Sequence, residues 1–244
     1  YSTYMHKADG VKYARNKGRN IEVVGYPNAD EFLFKEHVDV WKSQAIKKKR
    51  VIWAPHFSIY DGGPIKQSNF LWMADLMLHL AKKYNDTIQF AFKPHPVLFS
   101  ELCKHKNWGE EKTKKYYQTW AEMDNGQLET DLFIDLFMTS DAMIHDSGSF
   151  CVEYLYSKNP VMFISSNFDK QLEGKSDFGV LAMRQHYVGS NGDDITAFLD
   201  NVVLGNDDKK KRERDSFFHS YLMPPNGISV ADSIYKIFVD TFNC

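Results

Sequence analysis
The chain has 244 residues, 43% hydrophobic and 25% charged, enough for one large globular domain or one domain with appendages. A formal net charge of −2 removes the electrostatic case for nucleic-acid binding, and no apolar run approaches the ~20 residues that span a bilayer. The three cysteines, Cys103, Cys151 and Cys244, have neither paired nor metal-ligand spacing, which points to a reducing compartment rather than a disulfide framework.

The opening YSTYMHKADGVKYARNKGRN is polar and basic, has no clear period, and starts at Tyr1 rather than Met. It predicts a connecting segment with at most a short helix, in a fragment whose remainder lies on the N-terminal side. Ile21 to Pro27 predicts a short strand ending in a turn, and Asp30 to Trp41 has mixed helical character. The basic run Ile46 to Arg50 reads as a solvated lead-in to a strand. That strand, Val51 to Pro55, is stopped by its proline and is followed by His56, Asp61 and a flexible Gly62-Gly63 loop.

Asn69 to Tyr84 carries apolar residues at helical spacing and closes on Lys82-Lys83, which suits a helix C-terminus. Thr87 to Phe92 is the next strand, running into Lys93-Pro94-His95-Pro96, where the prolines stiffen the turn. Helices follow from Glu110 to Met123 and from Leu132 to Thr139. Asp141 to Ile144 is a strand, ending in His145, Asp146 and the turn Ser147-Gly148-Ser149, from which a helix starts at once. Val161 to Ile164 is a strand, Ser165 to Phe178 a polar loop, and His186 to Val188 a short strand. Asp193 or Asp194 caps a helix running to Val203, Asp207 to Arg214 reads as an exposed charged face, and Ser229 to Phe242 is an amphipathic helix. Strands alternating with helices predict a Rossmann-like parallel sheet with helices on both faces. The domain runs over residues 46–244, with 1–45 as a linker or entry segment.

In a parallel sheet, strand ends emerge on one edge. That edge would collect His56, Lys93, His95, His145, Asp146 and the Ser147-Gly148-Ser149 turn. A strand, a small-residue turn and a helix start point N–H groups at an anion. Lys93 adds a point charge, and His95 can give a proton or a hydrogen bond to a phosphate oxygen. Glu153, four residues after Ser149, sits one turn up the same face, where a carboxylate could hold sugar hydroxyls. The set suits a pyrophosphate. The plain alternatives are an ordinary helix cap at Ser147 to Ser149, a packing histidine at His56, and a strand-bonding histidine at His145. No H-x-x-x-H or C-x-x-C spacing supports a metal, and G-x-S-x-G, the P-loop and a convincing G-x-G-x-x-G are absent. No cofactor or metal is expected.

These motifs together resemble the C-terminal, donor-binding half of the CDP-glycerol glycerophosphotransferases, GT-B-fold enzymes of teichoic-acid and capsule synthesis. VVGYPNADEF is similar to the family's V-x-G-x-P-x-x-D at Gly25, Pro27 and Asp30, and VIWAPHF to its I-x-Y-A-P-T-[WF], with His56 in place of Thr. FKPHP resembles its R-x-H segment, with His95 on the histidine and Lys93 on the basic position. Ser140-Asp141, Asp146, Ser149, Tyr154 and Pro160 match the family's S-D-x-x-I-T-D-Y-S-S-x-x-x-D-Y segment and its following proline, and Asn226-Gly227 its D-G. His145, Ser147-Gly148 and Glu153 depart from that pattern, which leaves the nucleotide open.

The resemblance implies the donor half of a transferase that moves a polyol phosphate from CDP-glycerol or another CDP-polyol. His95 would act on the donor pyrophosphate. The acceptor would be a polymer or lipid-linked hydroxyl in cell-wall or capsular polymer synthesis, and its base would come from an H-G-T segment that this sequence lacks. The partner for chemistry would be the missing N-terminal lobe of the same protein, without nucleic acid. The location would be cytoplasmic or peripheral at the inner face of the cell membrane. The alternatives are a GT-B sugar transferase, a UDP-sugar 2-epimerase-like protein, and a non-catalytic nucleotide-binding module.

Overall fold
The computed structural model describes residues 1–60, 68–131 and 133–242. Among them, six strands form a parallel sheet: β1 (Lys49–Ala54), β2 (Ile88–Phe92), β3 (Gly126–Leu128), β4 (Ala142–His145), β5 (Val161–Ile164) and β6 (Tyr187–Gly189). Their order is β3-β2-β1-β4-β5-β6. Every residue of β2, β4 and β5 is buried, because helices cover both faces and leave no strand side for water. Alternation along β1 divides the core. Val51 and Trp53 face the layer of helices Phe70–Lys83 and Gly109–Glu122, while Ile52 and Ala54 face Tyr154, Tyr156, Phe217 and Phe218. Trp53 centres the first layer, stacked on Phe92 at 4.9 Å and on Phe70 at 5.6 Å.

The strand order reverses between β1 and β4, which pair with Ala54 opposite His145. At such a switch point the connections leave in opposite directions and a crevice opens at the carboxyl ends of the strands. The residues following β2, β1 and β4 therefore share one edge of the sheet on neighbouring strands.

Residues 1–45 pack onto this body, with Ile21, Ala29, Phe32 and Trp41 buried. Asp30 accepts hydrogen bonds from the backbone N–H of Val230 (2.7 Å) and Ala231 (2.9 Å), capping the final helix Val230–Phe242. That helix leaves Ile234, Tyr235, Phe238 and Phe242 exposed. No helix of the described residues is long and apolar enough to cross a membrane.

Several local expectations are corrected. Ile21 to Pro27 is not a strand: Gly25 holds φ at 105°, which breaks an extended ladder, and the N–H groups of Val24 and Gly25 turn to the Tyr1 carbonyl. Ser165 to Phe178 is not a plain loop. Asn167 and Ser176 accept from Lys170 and Gly179 N–H and start helices Phe168–Leu172 and Asp177–Arg184. Asn191, not an aspartate, caps Gly192–Ala197. The charge run at Asp207 to Arg214 is not a solvated face throughout. Arg214 is 1% exposed, held by Asp208 and the Lys158 carbonyl, since a charge tolerates burial only when paired and hydrogen-bonded. The three-residue β3 is too short for a period-two signal. The loop expected at Asp61 to Gly63, the start of the helix expected from Leu132, and Cys244 lie outside the described residues.

Candidate functional site
The carboxyl ends of β2, β1 and β4 are tied into one continuous edge. The N–H of His95 donates to the Pro55 carbonyl (3.0 Å), and the N–H of His56 donates to Asp146 Oδ1 (2.6 Å). The His56 and His95 rings lie 5.2 Å apart, with Phe57 against both. Asp146 spans the switch point. Its second oxygen accepts from the backbone and side chain of Asn69, which precedes helix Phe70–Lys83. Burial pushes the Asp146 carboxyl up to about 7, against the pull of these N–H donors.

Both edge histidines have an assigned tautomer. The Val97 N–H donates to His95 Nδ1 (3.2 Å) and the Ser58 N–H to His56 Nδ1 (3.3 Å), so in each neutral ring Nε2 carries the proton. Burial lowers the pKa of His95. At neutral pH the half-buried His95 is then a hydrogen-bond donor through Nε2 rather than a fixed cation. Lys93 is 5% exposed, and burial lowers its ammonium pKa while Glu129 and Asp131 oppose the shift.

Burial, with His95 adding to it, pushes His56 from 6.5 down to about 4. Between those values the unfolded chain binds a proton that folded His56 refuses. His56 therefore removes stability as pH falls through that window and adds no slope below it. Thermal melts of His56→Asn are expected to lose less stability than wild type between these two pH values; parallel curves would exclude this account of His56.

The turn after β4 separates into two parts. Ser147 is buried, and its hydroxyl accepts from the Ser149 N–H (3.3 Å). Gly148 and Ser149 are exposed, and Ser149 makes no side-chain cap to helix Phe150–Glu153. The simple capping role is therefore not what its hydroxyl does. A side chain built at Gly148 would meet no heavy atom within 4 Å, so the turn faces open space.

Beside Ser149 lies a cavity of ≈ 240 Å³ whose lining includes Glu153, Tyr26, Tyr156, Phe178 and Tyr221. Typical small-molecule pockets run to about 300–1,000 Å³, so this one suits part of a nucleotide. Tyr26 donates to Glu153 Oε1 (2.7 Å). Burial raises the Glu153 carboxyl pKa and the Tyr26 bond opposes it. Ser149 and Glu153 thus share one wall. Tyr26 stands 127 residues from Glu153 in sequence, and only its place between Gly25 and Pro27 hints at a role.

His145 is not on the open edge. It is 1% exposed, packed against Phe163 (5.3 Å) and His186 (5.2 Å). With Cys151 and His186 it forms the cluster of potential metal ligands found among the described residues, at sequence separations that no spacing motif reveals.

A family model described as CDP-glycerol:poly(glycerophosphate) glycerophosphotransferase matches residues 1–230. None of the curated proteins matches. Among solved structures, a histidine-to-alanine variant of the wall teichoic acid polymerase TagF superposes with TM-score 0.59 at 17% identity, covering 93% of this chain and 54% of that one. A TagF variant soaked with CDPG gives 0.51 at 18% identity, covering 92% and 54%. The S. aureus MnaA–UDP structure gives 0.52 at 16% identity, covering 97% and 58%. This chain spans about half the length of the TagF structures it matches. At these identities the likeness shows the fold alone, a Rossmann-like α/β half of GT-B type.

Proposed function
The chain belongs to the CDP-glycerol:poly(glycerophosphate) glycerophosphotransferase family, and from that premise we propose that it is the donor-binding domain of a transferase using CDP-glycerol or a related CDP-polyol. One observation supports this most: the ends of neighbouring strands β2, β1 and β4 set His95, His56 and the exposed Gly148-Ser149 turn along one edge of the sheet. The turn would receive the pyrophosphate, and Lys93, buried at the end of β2, would add positive charge to the same sheet edge. The aromatic cavity behind Ser149 would take the nucleoside, with Glu153 on the ribose.

In the proposed reaction an acceptor hydroxyl oxygen attacks the β-phosphorus. The bond from that phosphorus to the bridging oxygen breaks, and CMP leaves with the electron pair. His95 Nε2–H would hydrogen-bond to the donor phosphates as charge builds on the leaving group. The acceptor proton would pass to a base on a second lobe. The exposed apolar face of helix Val230–Phe242 supports such a lobe. Acceptors in cell-wall or capsular polymer synthesis, at the inner membrane face, fit the same reading.

Isothermal titration of the chain with CMP, CDP-glycerol, UDP and UDP-GlcNAc tests it. Selective binding of the cytidine ligands is expected. Selective uridine binding would move the chain to the UDP-sugar reading, and binding of none would leave a scaffold module.

A further inference from the structure
Beneath the Ser147-Gly148-Ser149 turn lies a buried group that the proposed reaction does not use. His145 ends β4, Cys151 lies in the first turn of the helix after it, and His186 precedes β6. One ligand atom from each lies within 4.8 Å of the other two, and all three residues are buried. The tautomers are dictated by carbonyl oxygens, which can only accept. His145 Nδ1 lies 3.0 Å from the Ser147 carbonyl and His186 Nδ1 lies 3.1 Å from the Ala182 carbonyl. Each Nδ1 therefore carries the proton, and each Nε2 presents a bare lone pair.

Both Nε2 atoms are buried and have no hydrogen-bond partner among the described residues. Burying an unsatisfied acceptor costs about 1–3 kcal/mol, and here two occur in one small cluster beside Phe163 and Met183. A ring whose Nδ1–H is held by a carbonyl, leaving Nε2 for a cation, is the usual arrangement of a metal-bound histidine.

We propose that His145, His186 and Cys151 form a structural binding site for a zinc-class divalent cation. Two imidazoles and a thiolate match the ligand preference of that class. Ligand atoms on one tetrahedral zinc stand roughly 3.3–3.6 Å apart, given bonds of about 2.0–2.3 Å. Side-chain movements that shorten the separations by up to roughly 1.5 Å close the present spacing of at most 4.8 Å. Binding releases the Cys151 thiol proton to solvent, leaving thiolate on the metal. Three protein ligands leave the fourth tetrahedral position to a water, and because all three residues are buried away from the crevice edge the role is positional. His145 and Cys151 flank the turn from either side, and a metal joining them to His186 would fix the turn's conformation. That consequence for donor binding rests on the function proposed above; the metal site itself does not.

The test uses the whole chain. Metal analysis of protein purified without chelator is expected to give about one zinc per chain. After chelation, Co²⁺ is expected to restore one equivalent, with intense tetrahedral d–d bands and a thiolate-to-cobalt charge-transfer band in the near ultraviolet. Cys151→Ser is expected to abolish the charge-transfer band, and His186→Gln to weaken Co²⁺ binding at least tenfold, while Cys103→Ser changes neither. Wild-type protein that carries no metal and leaves the Co²⁺ spectrum as in water would overturn the proposal, and would indicate a buried water donating to both rings. Co²⁺ binding without a thiolate band, or a band that survives Cys151→Ser, would overturn it as well. These readouts are independent of nucleotide binding, so failure of the donor reading would not be mistaken for failure of the site.

Discussion

Substituting His95 by alanine in the two-lobed transferase proposed above is expected to slow CMP release from CDP-glycerol by roughly 10²–10⁴-fold, the range for loss of a positioned proton or hydrogen-bond donor. The ring is held in one tautomer. The Val97 N–H fixes Nδ1 as acceptor, and the backbone N–H of His95 is anchored on Pro55. The substitution removes the ring but not the anchor, so the loop end of β2 should survive it. Single-turnover kinetics at saturating donor would locate the loss in the chemical step rather than in binding. Turnover within a few-fold of wild type would remove His95 from the reaction.

Asp146→Ala should produce the largest loss of stability at the site. The carboxylate is 1% exposed and accepts from the backbone N–H of both His56 and Asn69, across the point where the strand order reverses. Taking away the acceptor of a buried N–H costs about 1–3 kcal/mol, so the pair gives a loss of roughly 2–6 kcal/mol. At about 2–4 °C per kcal/mol for a domain of this size, the melting temperature should fall by roughly 4–24 °C. Asp146→Asn keeps one acceptor oxygen and should fall less. A loss below about 1 kcal/mol in Asp146→Ala, measured by denaturant titration, would mean that this carboxylate does not hold the edge together.

The contrast between these residues shows what a sequence makes readable. Val51 to Ala54, Ile88 to Phe92 and Val161 to Ile164 announce buried strands, because apolar runs of that length between turn residues have few other uses. Chemically distinctive residues follow several of those runs, so the edge could be assembled on paper. The direction of each side chain could not. Alternation along β4 sends Ile144 into one layer and leaves His145 against Phe163 and His186 on the other. His145 therefore lies under the turn, although its neighbours in sequence reach the crevice. Asp146 reads as a ligand group from its place in the motif, yet both its oxygens are engaged by the protein's own N–H groups.

Long-range pairing was the other hidden layer. Nothing local marks Tyr26 as the partner of Glu153, or Asp30 as the cap of a helix 200 residues later. Arg214 sits in a run of charges that looks solvated until Asp208 and the Lys158 carbonyl are seen to enclose it. Short elements such as Gly126–Leu128 fail for a simpler reason: three residues cannot display a period.

The central claim is that the turn after β4 receives the donor phosphates, and Gly148 tests it most directly. A side chain there meets no protein atom within 4 Å, so Gly148→Val should leave the fold intact while filling the space that the phosphates would occupy. Titration of CDP-glycerol into wild type and Gly148→Val, with melting curves on both, separates the two effects. The account predicts an affinity at least tenfold weaker in the variant at a nearly unchanged melting temperature. Equal affinity in the two proteins would contradict it.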